Sequence, residues 1–233
     1  MLDPRTKSGQ RVLTWSGRVG HRVIRRHDLG VVKHSVEVTV AMDARGRSYV
    51  LWFAQPQGPD YTIPAHAPWQ LRGASISPGG KAATPVQSFA DGEETGGNPT
   101  IAASPTTGGA VVEYADSNEQ GHLVIADADG IFAPAAADIP RSANPGPVAY
   151  MPDGTAYATW SDPTANKTYA AIVNANGLES TEDTGLRAPH YEPGFAPDDH
   201  SLLISGSPTG QPRIYIVASN NDHARLLSST RVP

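Results

Sequence analysis

Residues 148–160 read VAYMPDGTAYATW, which is the pattern of a β-hairpin. An apolar run reaches Asp153-Gly154, and a second run then alternates small apolar and polar residues up to Trp160. Asp-Gly between two β-like runs favours a tight turn, because glycine adopts positive φ without a Cβ clash. The stretch therefore predicts two antiparallel strands, the second of which ends at a large aromatic residue.

The same design recurs along the chain. In each copy a strand-like run ends at an anchor residue, and we expect the next strand nine residues later. The anchors and their partners are Trp15 with Ile24, Trp52 with Tyr61, Tyr114 with Leu123, Trp160 with Tyr169, and a weaker Ser205 with Ile214. Repeats of about 40–50 residues are typical of four-stranded propeller blades. The sequence therefore predicts an all-β fold, a five-bladed β-propeller.

The predicted blades cover approximately residues 1–35, 36–75, 99–146, 147–190 and 191–233 of a single domain. The first copy matches the repeat from its second strand onward, and residues 1–7 do not resemble an inner strand. We therefore expect an incomplete N-terminal blade that is three-stranded or is completed by another chain or by sequence lost by truncation. Residues 76–98 are rich in Gly, Pro, Ser and acidic residues, which predicts a loop insertion.

Composition narrows the functional classes. The chain has 233 residues, no cysteine and a net charge of −5, so a disulfide framework and a thiolate metal site are excluded. Nucleic acid is not an expected partner, because phosphate contacts require a basic surface, and the basic stretch 21–26 has the pattern of an exposed strand with charged edges. No run approaches the roughly 20 apolar residues of a membrane span.

The bias toward Ala, Gly, Pro and Arg suggests a bacterial or phage genome, and the N-terminus shows no signal peptide. An extracellular, cell-surface or virion-associated location is favoured among the alternatives.

No motif predicts a metal or cofactor. The eight histidines are scattered, and none forms a pair at the helical spacing of metal ligands. Residues 127–130, Asp-Ala-Asp-Gly, resemble the start of a calcium loop, but the downstream acidic ligands are missing. A hairpin turn is the better interpretation, because Asn-Ala-Asn-Gly occupies the same place in the next copy. For the aromatic anchors we expect packing between neighbouring blades rather than ligand stacking.

The run at 152–160 resembles the degenerate repeats of bacterial β-propeller proteins, including the sialidase-like Asp-box group and the five-bladed lectins. An Asp-box reads Ser/Thr-x-Asp-x-Gly-x-Thr-Trp, and residues 126–132 depart from it at the first hydroxyl and at the closing Thr-Trp. Resemblance to five-bladed lectins implies binding without catalytic residues. Resemblance to five-bladed glycosidases implies three inner-rim acids, for which the candidates are Glu37, Glu94 and Glu192.

Propeller topology places two sets of connections on one face, and we expect ligands to bind there. The predicted ligand-binding residues are His34, Arg141, Asn144, His190, Tyr191 and Glu192. Our first hypothesis is a non-catalytic binding or scaffold propeller that recognises glycan or protein, as a surface or phage-virion module. The alternatives are a glycoside hydrolase, and a structural subunit whose first blade is completed by a neighbouring subunit.

Overall fold

The structure is a computed structural model that describes residues 11–19, 22–32, 38–54, 69–92, 99–116, 120–133, 137–139, 144–151, 154–174, 177–184, 191–195, 201–206, 213–220 and 223–231. Within these residues the chain is almost entirely β-strand, and a short 3-10 turn, Pro78–Gly80, is the one helical element. No helix in this part of the chain is both long and apolar enough to cross a membrane.

The strands follow one another in chain order. They are β1 Arg11–Val19, β2 Arg22–Val32, β3 Val38–Met42, β4 Ser48–Ala54, β5 Trp69–Ile76, β6 Gln87–Gly92, β7 Thr100–Ala103, β8 Ala110–Ala115, β9 Gly121–Ala126, β10 Ala137–Asp138, β11 Asn144–Tyr150, β12 Ala156–Asp162, β13 Lys167–Asn174, β14 Gly177–Asp183, β15 Tyr191–Phe195, β16 Ser201–Gly206, β17 Arg213–Asn220 and β18 His223–Arg231.

These strands form successive antiparallel sheets. Sheet 1 is the β1-β2 hairpin, and the other four sheets each have four strands in sequential order. Sheet 2 is β3 to β6, sheet 3 is β7 to β10, sheet 4 is β11 to β14, and sheet 5 is β15 to β18. Each four-stranded sheet is thus a meander, which confirms the predicted repeat unit of four antiparallel strands.

Neighbouring sheets contact one another through their first strands. β3 contacts β7, β7 contacts β11, and β11 contacts β15. Apolar side chains fill the space between consecutive sheets. One cluster joins Tyr49 and Leu51 of sheet 2 to Val112 and Val124 of sheet 3, and another joins Val111 and other residues of sheet 3 to sheet 4. Because residues alternate between the two faces of a strand, each inner sheet packs against both of its neighbours.

The aromatic anchors lie in these inter-sheet clusters. Trp52 belongs to the cluster that faces Leu29 of sheet 1, Tyr114 to the cluster facing sheet 2, and Trp160 to the cluster facing sheet 3. Each of the three is at most 4% exposed. The prediction that these three anchors pack between sheets is therefore confirmed. Trp15 and Ser205 lie on β1 and β16.

The nine-residue spacing holds in only part of the chain. Trp160 pairs with Tyr169 and Ser205 pairs with Ile214, as predicted, and Tyr114 pairs one residue early, with His122. Trp52 instead pairs with Arg72, and Trp15 pairs with His27. The prediction of a strand at Tyr61 is wrong as the partner of β4, because β5 begins at Trp69; Tyr61 itself lies outside the described residues.

The loop insertion predicted for residues 76–98 is also corrected. Gln87–Gly92 forms β6, which pairs with β5 as the outer strand of sheet 2. Phe89 of this strand packs against the cluster between sheets 2 and 3. Its ring occupies the space over Gly73, where an added Cβ would lie 2.7 Å from a ring carbon. The pattern was missed because one aromatic residue, in a Gly- and Pro-rich context, supplies most of the strand's packing.

Candidate functional site

The antiparallel meander gives the molecule two different ends. At the turn end lie the connections from the first to the second strand and from the third to the fourth strand of each sheet. At the loop end lie the connections from the second to the third strand, and from each fourth strand to the next sheet. The residues predicted to bind a ligand belong to the loop end.

Buried hydrogen bonds join neighbouring sheets at the turn end. The Asp43 carboxylate accepts hydrogen bonds from the backbone N–H groups of Arg45 and Arg47 through Oδ1, and from the Tyr49 hydroxyl at 2.9 Å through Oδ2. The Tyr49 oxygen accepts the N–H of Gly109 in sheet 3 at 2.9 Å. Burial, together with Asp43, raises the pKa of Tyr49 above its ordinary value. This network fixes the turns in place and leaves few polar groups free for a ligand.

The Asp127 turn repeats this arrangement. Asp127 Oδ1 accepts the N–H groups of Asp129 and Ile131, each at 2.9 Å, and Gly130 has a φ of 83°. An added Cβ at Gly130 would lie 1.9 Å from the Ser75 hydroxyl of sheet 2. The hairpin interpretation of 127–130 is therefore confirmed, and no group of His, Asp and Glu in the described residues has the arrangement of a metal site.

At the loop end of sheet 3, a histidine lies between two carboxylates. His122 Nδ1 is 2.7 Å from Asp138 Oδ1, and Nε2 is 3.2 Å from Asp116 Oδ2. Both ring nitrogens donate at once only in the imidazolium form, which is the form that two carboxylates favour. The ring lies 5.2 Å from the Tyr114 ring. Asp138 is 68% exposed, so this cluster presents a carboxylate to solvent.

The electrostatics of this cluster extend to the anchor beneath it. Burial raises the pKa of Tyr114 to about 12, and the charges of Asp116 and Asp138 act in the same direction. The Tyr114 hydroxyl therefore stays neutral at physiological pH and serves as packing and a hydrogen-bonding group rather than as a base. Asp116 Oδ1 also accepts the backbone N–H of Gln120 at 3.0 Å, which fixes the two ends of the connecting loop.

Sheet 4 contains the same row at the same register. Trp160 pairs with Tyr169, and Tyr169 pairs with Asp183, as Tyr114, His122 and Asp138 do in sheet 3. The Trp160 and Tyr169 rings stack with centroids 5.9 Å apart. Asp183 makes an exposed ion pair with Lys167 at 2.6 Å, and this partner raises the pKa of the lysine. We call these two sets the loop-end rows: an anchor, a stacked ring and an outer aspartate.

A buried carboxyl lies between the two rows. Glu113 is 1% exposed; its Oε1 accepts the backbone N–H of Gly146 in sheet 4 at 2.8 Å. Oε2 is buried and has no hydrogen-bond partner within the described residues. Burial raises the pKa of Glu113 well above its usual range, and the Gly146 hydrogen bond opposes this only in part. At this depth the carboxyl cannot reach a ligand.

The predicted site residues fall mostly outside the described part of the chain. His34, Glu37, Glu94, Arg141 and His190 lie there, so their roles stay predictions. The other three are described by strand alone: Asn144 is the first residue of β11, and Tyr191 and Glu192 are the first two residues of β15.

Sequence reasoning missed the loop-end rows. A signal was present, because an aspartate follows two residues after the anchor in both copies, as Asp116 after Tyr114 and Asp162 after Trp160. Asp162 Oδ1 accepts the N–H groups of Thr164 and Ala165, so both aspartates order the loop that follows. The outer aspartates, Asp138 and Asp183, were not found because their register becomes apparent only from strand pairing.

No protein-family model and no curated protein matches the sequence. Solved structures do match the fold. The periplasmic gluconolactonase PpgL of Pseudomonas aeruginosa superposes with a TM-score of 0.52 at 15% identity, over 89% of this chain and 60% of that one. A protein of unknown function from Dyadobacter fermentans gives 0.51 at 15% identity, over 97% and 80%.

KlAtg21, in its complex with the coiled coil of AgAtg16, gives a TM-score of 0.51 at 14% identity, over 91% of this chain and 62% of that one. The chain thus spans about three fifths of the lengths of the gluconolactonase and of KlAtg21. At these identities the likeness concerns the fold alone. The chain has an all-β, propeller-like fold of successive four-stranded antiparallel sheets.

Proposed function

We propose that this chain is a non-catalytic binding or scaffold module, a five-bladed propeller with an incomplete first blade, which recognises glycan or protein through its loop end. One observation supports this most: the two ends differ in chemistry. The turn end is joined by the buried Asp43–Tyr49–Gly109 network. The loop end has exposed carboxylates beside stacked rings in two consecutive sheets.

The loop-end rows suit recognition of a polar ligand. Carboxylates such as Asp138 and Asp183 accept hydrogen bonds from hydroxyl or amide donors, and the ring beside each offers an apolar surface. Asn144 and Tyr191 begin two strands in neighbouring sheets that contact each other, β11 and β15. Both strands begin at the loop end, so we assign Asn144, Tyr191 and Glu192, with the loop residues His34, Arg141 and His190, to the same recognition surface.

Glycoside hydrolysis is not part of this proposal. A pair of carboxylates flanking a substrate is needed for that chemistry, and the one carboxyl with a strongly raised pKa among the described residues, Glu113, is buried between sheets. If Glu37, Glu94 or Glu192 were catalytic, a Glu192→Gln variant would lose hydrolysis of an oligosaccharide panel that the unaltered chain cleaves. We expect no cleavage by either protein.

A matched pair of arginine variants tests the proposal. Arg141 lies in the sequence of a loop-end connection, and Arg45 is an exposed residue of a turn at the opposite end. We expect ligands found on a glycan array or by affinity capture to bind the Arg141→Ala variant at least about tenfold more weakly, a loss typical of one charged contact. Arg45→Ala should bind as the unaltered chain does. An effect of Arg45→Ala alone would place recognition at the turn end and contradict the proposal.

A further inference from the structure

One side of β3 is apolar and exposed. Val38, Val40 and Met42 are 40%, 57% and 66% exposed, and they alternate along β3, so they share one face. Val38 pairs with Trp52, and Val40 pairs with Val50, both on β4. Directly opposed residues of paired strands point to the same side of the sheet. The exposed face of β3 is therefore continuous with the side of sheet 2 that packs against sheet 1.

Sheet 1 covers only part of this side. Leu29 of β2 packs with Val50, Trp52, Ala74 and Ile76 of sheet 2, and β1 and β2 contact the 3-10 turn Pro78–Gly80. Within the described residues, the contact of β3 with β7 on its other side has no counterpart of similar extent to β1 or β2. The hairpin thus lies over the outer strands of sheet 2 and leaves β3 uncovered.

The other sheets show what is missing. In sheet 3, the equivalent first-strand residues Ile101 and Ala103 pack against the cluster shared with sheet 2. In sheet 4, Val148 is 7% exposed within the cluster shared with sheet 3. In both cases the first strand of the preceding sheet lies against the first strand of the next, as β3 against β7 and β7 against β11. A strand inward of β1 would cover Val38, Val40 and Met42 in the same way.

The hairpin also offers a free backbone edge and a charge. Among the described strands, β1 is hydrogen-bonded on one edge only, to β2. β1 and β2 contain Arg11, Arg18, Arg22, Arg25 and Arg26 against one acidic residue, Asp28, in a chain whose net charge is −5. An added strand therefore meets an apolar surface on one side and a basic hairpin at its edge.

We propose that this place is an acceptor site for one extended segment of a separate partner protein, which pairs with the free edge of β1 and covers β3. The segment alternates apolar residues, which pack on Val38, Val40 and Met42, with acidic residues, which face the basic hairpin. Main-chain hydrogen bonds supply affinity and the alternating side chains supply specificity, as in other cases of strand addition. The site is separate from the loop-end rows, so it does not depend on the function proposed for them.

Selection of displayed peptides on the full chain tests this proposal. A random 12-residue library is panned on the unaltered chain and, as a counter-target, on the Val40→Asp/Met42→Asp variant. We expect enrichment of peptides with alternating apolar and acidic residues. A synthetic peptide of the enriched sequence should bind the unaltered chain and should bind the double variant at least about tenfold more weakly, because the new carboxylates would be buried without partners.

Two controls separate strand addition from general stickiness. Ile131→Asp changes another exposed apolar residue, which is 45% exposed, and it should leave peptide binding unchanged. A proline at the centre of the peptide removes a backbone donor and should abolish binding. Hydrogen exchange of the β1 amides that do not pair with β2 should be fast in the free chain and slow once the peptide is bound.

Four outcomes would overturn the proposal. Failure to enrich peptides, or equal binding to the double variant, would mean that the face of β3 is not an acceptor. Slow exchange along both edges of β1 in the free monomer would mean that this chain's own sequence already covers the site. Dimerisation of the unaltered chain that is lost in the double variant would identify a second copy as the occupant.

Discussion

Glu113 is the residue whose environment differs most from its place in the repeat. The equivalent residue one position before the anchor is Leu51 in sheet 2 and Thr159 in sheet 4, and both are uncharged. Burial of a carboxyl with one partner disfavours its charged form, and its pKa is raised accordingly. The sheet 3–sheet 4 interface thus contains a carboxylic acid that is best accommodated when it is protonated.

Glu113→Gln should change the pH dependence of stability. A carboxyl with a raised pKa in the folded state stabilises the fold fully below its unfolded pKa of about 4.5, and this contribution is lost as the pH rises through the folded value. Glutamine can accept the Gly146 hydrogen bond and has no charge to bury. The variant should therefore be close to the unaltered chain in unfolding free energy near pH 4 and more stable by about 1–3 kcal/mol near pH 8.

Denaturant titrations of both proteins at several pH values measure this difference directly. Other titrating groups are common to the two proteins and cancel in the comparison. A difference in unfolding free energy that does not change with pH would show that Glu113 is ionised in the fold across this range.

At the scale of the strand and sheet, sequence reasoning worked where packing and turn chemistry agree. The stretch 148–160 combines a turn signal with alternation up to Trp160, and β11, β12 and their partner β13 have the expected order and register. It failed between Trp52 and Arg72, where the chain between paired strands is longer than in the other copies. Loop length has little thermodynamic cost, so spacing alone could not locate β5.

Edge strands were harder still. β6 and β10 bury few apolar side chains, and their pairing is set by neighbours such as Gln87, whose side-chain amide makes two hydrogen bonds to the Phe132 backbone of sheet 3. The loop-end rows likewise depend on cross-strand register, which brings together residues 16 positions apart, as His122 and Asp138. Such pairings are visible once the strands are aligned and have no local sequence signal.

Trp160→Ala should test whether the anchors stabilise the contacts between sheets. Trp160 lies in the cluster between sheets 3 and 4, and truncation of a buried tryptophan costs about 3–5 kcal/mol of unfolding free energy. Ile131→Ala, at an exposed position, should cost less than about 0.5 kcal/mol. Equal and small losses in guanidinium titrations of the two variants would mean that Trp160 is not part of the core.

At the scale of the whole molecule, the contacts β3–β7, β7–β11 and β11–β15 join the first strands of four consecutive sheets. Repetition of one sheet-to-sheet relation generates an arc, and the proposed five-bladed ring requires that the arc return so that sheet 5 lies beside sheet 1. The longer chains of the gluconolactonase and KlAtg21 matches make closure the decisive geometric question for this protein.

Distances between spin labels test closure most directly. The chain has no cysteine, so pairs of cysteines can be placed at Arg45, Thr106, Asp153 and Asp198, in the turns between the first and second strands of sheets 2 to 5. A closed ring of five predicts that the distance from 45 to 198 equals the distances from 45 to 153 and from 106 to 198, since each pair skips one sector. A distance from 45 to 198 that is clearly longer than the other two would mean an open arc and would contradict the five-bladed ring.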